Sequence, residues 1–194
     1  MIRAALFDLD GVVRHFDHDP GLEHRYGLAD GAIARTAFAS PLIDEVTTGR
    51  ITRSEWIDRV GEVTGSPSAA AEWGRTPFHV DSQLTALAEE LRTIGLTCAM
   101  LTNGTDTIAD EVSQSGLTAH FNPIFNSADI GHAKPDRRAF AHVLDALQLP
   151  AAQVFFTDDS PAKLTGADGI GMHTHHFTGV GALRAALRRA GVPA

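Results

Sequence analysis

From Asp81 onward, short apolar runs alternate with amphipathic stretches, and that alternation leaves few folds open. Leu84, Leu87, Ala88 and Leu91 recur at helical spacing, Gly95 then stops the helix, and Thr97–Leu101 reads as a buried strand. Thr105–Ser115 is the next expected helix, followed by a short strand over Asn122–Asn126. Pro135 is expected to open a helix carrying Phe140, Val143, Leu144 and Leu147 on one face. A strand (Val154–Thr157), a short helix (Pro161–Ala167), a strand (Met172–Phe177) and a last helix with Leu183, Ala186, Leu187 and Ala190 complete the series. With the first apolar run, Ile2–Phe7, there are five strands separated by helices. The pattern predicts an α/β fold, a doubly wound parallel sheet whose right-handed crossovers bring the strands' carboxyl ends to one edge. Ligands of such sheets bind at that edge.

Between Val12 and about Val80 the pattern changes, with helical signals and no continuous apolar strand. The clearest is Thr52-Arg53-Ser54-Glu55, a capping-box spacing, followed by Trp56, Ile57, Val60 and Val63 at helical intervals. Ala29–Ala39 and Pro41–Thr47 are further candidates, and Gly65-Ser66-Pro67 is a break that can start another helix. Residues 14–79 are therefore expected to be a small helical insert in a core made of 1–13 and 80–194. A chain of 194 residues, 43% hydrophobic and 21% charged, is large enough for one such core plus a modest insert.

The bulk numbers exclude several roles. A formal net charge of −8 argues against a nucleic-acid or anionic-membrane partner, and no apolar segment reaches transmembrane length. Met1 leads directly into strand-like residues without a basic leader or cleavage site, which predicts a cytoplasmic location. Cys98 is the only cysteine, lies in an apolar run and is expected to be a buried thiol. His173 and His175 share a face of an expected edge strand, but they lack a carboxylate or cysteine partner at ligand spacing. His132, Arg14, His15, Arg50 and Arg53 are expected at the solvated surface.

Polar residues stand where the strands end. Asp8 and Asp10 close the first run, Thr102-Asn103-Gly104 follow the second, Lys134 comes shortly after the third, and Asp158-Asp159 close the fourth. Singly, these read as turns, caps or a solvated lysine. Jointly, they converge on one crevice if the topology holds. In an extended backbone, residues i and i+2 share a side, so Asp8 and Asp10 repel unless a cation or shared proton compensates. The chemistry that suits the set is phosphoryl transfer through a covalent aspartyl phosphate. Mg²⁺ would neutralise the clustered carboxylates. The Thr102 hydroxyl, the Asn103 and Gly104 amides at a helix start and the Lys134 ammonium would hold phosphate oxygens. One aspartate attacks phosphorus while a second donates a proton to the leaving oxygen.

Asp8-Leu9-Asp10-Gly11-Val12, Leu101-Thr102-Asn103-Gly104, Lys134-Pro135 and Phe156-Thr157-Asp158-Asp159-Ser160, in this order, resemble the four motifs of the haloacid dehalogenase superfamily. That likeness implies a Rossmann-like core in which the insert is a small type-one cap. Thr48–Trp56 is similar in style to caps of sugar-phosphate phosphatases. It also implies roles: Asp8 as nucleophile and metal ligand, and Asp10 as general acid and base with its carbonyl on the metal. Thr102 and Lys134 would bind phosphate, with Asp159 on the metal directly and Asp158 through water, or the reverse. Dehalogenase members lack an aspartate two residues after the nucleophile, so Asp10 favours a Mg²⁺-dependent phosphatase acting on a small phosphorylated metabolite. The alternatives are a phosphomutase of the same superfamily and a non-catalytic phosphoacceptor or binding module.

Overall fold

The computed structural model describes residues 1–194. Its chain opens with β1 (Ala4–Phe7) and β2 (Arg14–Phe16), and then runs through five helices: α1 (Leu22–Arg25), α2 (Ala32–Ala37), α3 (Leu42–Thr47), α4 (Arg53–Thr64) and α5 (Pro67–Trp73). After β3 (Phe78–Val80) comes the alternating part, α6 (Ser82–Thr93), β4 (Thr97–Thr102), α7 (Ile108–Gln114), β5 (Ile124–Asn126), α8 (Ser127–Ile130) and α9 (Arg137–Leu147). It ends with β6 (Val154–Asp158), α10 (Pro161–Asp168), β7 (His173–His176) and α11 (Val180–Arg189).

Five strands form one parallel sheet in the order β5-β4-β1-β6-β7, as the alternation predicts. Successive β1 side chains point to opposite faces. Ala5 and Phe7 join Cys98, Met100 and Phe155 under α6 and α11, whereas Ala4 and Leu6 join Ala99, Leu101 and Phe156 under α9 and α10. Both faces are therefore covered, which is why the strands are apolar runs rather than alternating ones. Cys98 is buried, and burial pushes its thiol up to about 12, leaving it protonated at neutral pH. No helix is long and apolar enough to cross a membrane.

The helices between β2 and β3 have a core of their own, with Leu22, Ile33, Ala37, Val46, Trp56 and Val60 buried together. Trp56 and Trp73 meet edge-on at 5.2 Å between ring centroids. The capping box is complete in α4: the Thr52 hydroxyl accepts from the Glu55 amide, and the Glu55 carboxylate accepts from the Thr52 amide.

Four local expectations need correction. Arg14–Phe16 and Phe78–Val80 pair antiparallel, a ribbon flanking the five helices that three-residue strands of mixed polarity do not announce. β1 stops at Phe7, and Leu9 opens a tight turn in which its carbonyl accepts from the Val13 and Arg14 amides. Asp8 and Asp10 consequently do not share a pleat. The helix expected from Thr105 begins at Ile108, so Asn103 and Gly104 are not at a helix start. The helix expected from Pro135 begins at Arg137, because Asp136 caps it by accepting from the Arg138 amide.

Candidate active site

Asp8 stands one residue past the central strand. Its amide donates to Thr157 of β6 at 2.9 Å, which places it level with Asp158 at the end of the neighbouring strand. Thr102 ends β4 on the other flank and is buried. Strand order reverses beside β1, where doubly wound sheets open a crevice. Lys134 reaches in from the segment after α8: its ammonium lies 2.7 Å from Asp8 Oδ1 and 2.6 Å from Asp158 Oδ2, with all three side chains at most 2% exposed. Asp159 is exposed, and one carboxylate oxygen each from Asp8, Asp158 and Asp159 lies within 4.8 Å of the others.

The cluster is arranged by its neighbours. Asn103 clamps the Lys134 backbone, its side-chain amide donating to the Lys134 carbonyl at 2.8 Å and its carbonyl accepting from the Lys134 amide at 2.7 Å. Its side chain therefore positions the lysine. Gly104 is packed tightly, since a Cβ there would lie 2.7 Å from Asn126 Oδ1. Asp158 also accepts from the Ser160 amide at 2.8 Å. Burial alone would raise the Asp8 carboxyl, yet Lys134, Lys163 and the Leu9 amide carry it below its ordinary value. Asp158 moves the other way, pushed up to about 6 by burial and, secondarily, by the Asp8 charge.

Asp10 faces a different partner. Arg14 grips it through Nε at 2.5 Å and Nη2 at 3.1 Å, and donates from Nη1 to Glu111 at 2.5 Å. Burial raises the Asp10 carboxyl above its ordinary value, and this guanidinium only partly offsets it. Arg14 is 3% exposed, contrary to the solvated surface expected for it: its charge is met by two carboxylates, one of them 97 positions away. The Asp10 carboxylate is not one of the three that cluster, which leaves it apart from the group that Lys134 holds.

Lys163 escapes a reading of the sequence. Its ammonium stands 3.6 Å from Asp8 Oδ2, and the nearby charges of Asp8, Asp158 and Asp159 raise its pKa against the pull of burial. The available signal is its place three residues after Ser160, in the first turn of α10, which points back at the acids.

Gly11 is required here for two reasons. Its φ is +85°, and a Cβ would run into the Asp159 carboxylate. Gly11→Ala is expected to cost about 1–3 kcal/mol, read as a lower urea midpoint at unchanged slope.

The helices between β2 and β3 meet the rest of the chain beside this cluster. The Arg53 amide donates to Asp106 at 2.7 Å, the Arg53 guanidinium lies 4.0 Å from Glu111, and Gly49 packs on the Ala128 carbonyl. A cavity of about 460 Å³ lies between them, lined by Asp44, Thr48 and Arg50 on one side and by His132, Lys134 and Asp136 on the other. His132 lies in a partly exposed loop, as expected, and lines this cavity next to Lys134.

A family model, haloacid dehalogenase-like hydrolase, matches residues 2–171. The chain is 28% identical over 181 residues to a sesquiterpene phosphatase of Aspergillus oryzae, spanning 91% of this chain and 90% of that protein. It is 25% identical to the mouse bifunctional epoxide hydrolase 2 over 89% of its length, covering only 36% of the mouse protein. Among solved structures, a HAD family enzyme of Bacteroides thetaiotaomicron in complex with magnesium and inorganic phosphate superposes with a TM-score of 0.74 at 21% identity, over 90% of this chain and 93% of that one. At that identity the likeness is one of fold. The matched region contains all four strand-end motifs, and it follows that the chain belongs to the haloacid dehalogenase-like hydrolase family.

Proposed function

We propose that this hydrolase is a Mg²⁺-dependent phosphatase that cleaves a small phosphate monoester through an aspartyl phosphate on Asp8. One observation carries the reading. Three carboxylates gather at a rim where Asp8 Oδ2 is buried without a hydrogen-bond partner. Such an atom is costly unless a cation or a reacting group takes it up. All donors are oxygens, which suits a hard divalent ion. Asp8, Asp158 and Asp159 would hold it with the Asp10 carbonyl, and when bound it would supply charge neutralisation for an incoming phosphoryl group.

The chain's own residues then have defined tasks. Lys134 keeps Asp8 ionised and thus nucleophilic. Asp8 forms a bond to phosphorus as the bond to the leaving oxygen breaks, and Asp10, whose carboxyl is raised, gives that oxygen its proton. Water then attacks phosphorus, Asp10 takes back a proton, and the bond to Asp8 breaks with release of phosphate. To do this Asp10 must loosen from Arg14. Thr102 and the Asn103 and Gly104 amides are assigned to the phosphate oxygens, alongside Lys134.

In this reading residues 14–79 are a cap over a core of 1–13 and 80–194, which excludes bulk water and selects the leaving group. The cavity between them is lined by the charged side chains of Asp44, Arg50, Lys134, Asp136 and Arg138, which favour a leaving group that carries hydroxyls, such as a sugar. The phosphatase likeness to the Aspergillus protein supports the reaction class.

The test is to incubate the protein with Mg²⁺ and a panel of phosphorylated metabolites plus an aryl phosphate, and to assay free phosphate. Release from at least one member is expected. Transfer to a second sugar without release would mean a mutase, and a phosphoprotein stable for hours would mean a non-catalytic phosphoacceptor.

A further inference from the structure

We infer that Lys163 competes with the divalent cation for Asp8, so that metal binding has to displace its ammonium. The inference rests on the metal site proposed above, and its grounds are geometric. The two oxygens of Asp8 are served unequally. Oδ1 is ion-paired with the Lys134 ammonium at 2.7 Å and accepts from the Leu9 amide at 2.8 Å, whereas Oδ2 is buried with no hydrogen-bond partner. The Lys163 ammonium faces that second atom from 3.6 Å, an ion-pair distance beyond hydrogen-bond reach.

The two lysines differ in freedom. Lys134 is fully enclosed and ion-paired with two carboxylates, with its backbone clamped by Asn103. The Lys163 side chain is 31% exposed, its ammonium makes no hydrogen bond, and it sits at the end of a flexible four-carbon stem from the first turn of α10. It has a way out that Lys134 lacks.

Charge balance turns this into competition. Asp8, Asp158 and Asp159 against Lys134 leave two negative charges, the amount a divalent ion neutralises. Lys163 adds a positive charge in excess once that ion is present. A +1 and a +2 charge a few ångströms apart at a partly wetted rim repel enough to weaken binding about tenfold or more. With no ion, the same ammonium relieves the repulsion among the acids. Lys163 thereby makes the site hold together at low Mg²⁺ and raises the Mg²⁺ level at which it fills.

Calorimetric titration of Mg²⁺ into the full-length, chelator-stripped protein tests this without any turnover. Lys163→Gln is expected to bind Mg²⁺ about tenfold tighter or more, while Lys163→Arg, which keeps the charge, stays within about threefold of the parent. A second readout is the thermal midpoint. In chelator, Lys163→Gln is expected below the parent, and its rise on adding Mg²⁺ is expected to be larger. Equal or weaker Mg²⁺ binding by Lys163→Gln overturns the role of Lys163 and leaves the metal site standing. Absence of Mg²⁺ binding in the parent and both variants overturns the metal site and this inference together.

Discussion

Asp8→Asn is expected to lower turnover of an aryl phosphate in the presence of Mg²⁺ by at least about a thousandfold while leaving the protein folded. The amide has nearly the shape of the carboxylate, but it cannot form the covalent phosphoryl bond, and it removes one anionic donor from the cluster. The fold should survive because the Lys134–Asp158 pair remains at 2.6 Å and the sheet hydrogen bonds of β1 do not involve this side chain. Circular dichroism of the variant together with its kcat decides the matter. Undiminished turnover by a folded Asp8→Asn protein excludes the mechanism, whatever the substrate.

Lys134→Met is expected to be the most damaging single substitution for stability, at about 3–5 kcal/mol in urea unfolding without added metal. It leaves Asp8 and Asp158 buried opposite a neutral side chain, and Lys163, at 3.6 Å and partly exposed, is too remote to replace a direct bond to each. The pH dependence follows from the signs. In the parent, Asp8 lies below its ordinary 3.8, so its ionised form stabilises the fold above that pH, and this contribution is lost as pH falls. Asp158, at about 6 against an ordinary 3.8, works in the opposite sense: the native state holds a proton that the unfolded chain has released, and stability from this group declines as pH rises from about 4 to about 6. In Lys134→Met both acids are raised, so the deficit relative to the parent is expected to shrink between pH 7 and pH 5. Adding Asp8→Asn to Lys134→Met is expected to recover part of the loss, since one stranded charge is gone. A deficit independent of pH would mean that packing against Phe156, whose ring centroid lies 5.3 Å from the ammonium, outweighs the charges.

The corrections follow a pattern that these same residues explain. Asp8, Thr102, Asp158 and Asp159 were legible because each closes an apolar run, and a parallel sheet sends all such ends to one edge, whereas Lys134 was legible only as a lysine shortly after the third strand, with α8 between them. Asn103 was legible as a strand-end residue, but its side-chain bonds to Lys134 were not, because they join residues 31 apart. The Arg14–Glu111 pair and the β2–β3 ribbon were hidden for the same reason. Local errors had a different origin. The helices expected from Thr105 and Pro135 start three and two residues later, and at the second the cause is a side-chain cap, Asp136 accepting from the Arg138 amide.

The sequence by itself determined the five-stranded doubly wound sheet, the helical character of the insert and the identity of the residues at the strand ends, because backbone periodicity is written in the spacing of apolar side chains. Only the tertiary structure decided which charges meet. It turned Asp10 toward Arg14, gave Lys134 two carboxylates and brought Lys163 to the open oxygen of Asp8. Pairing energies depend on distance and burial, and neither exists until remote segments have folded against one another.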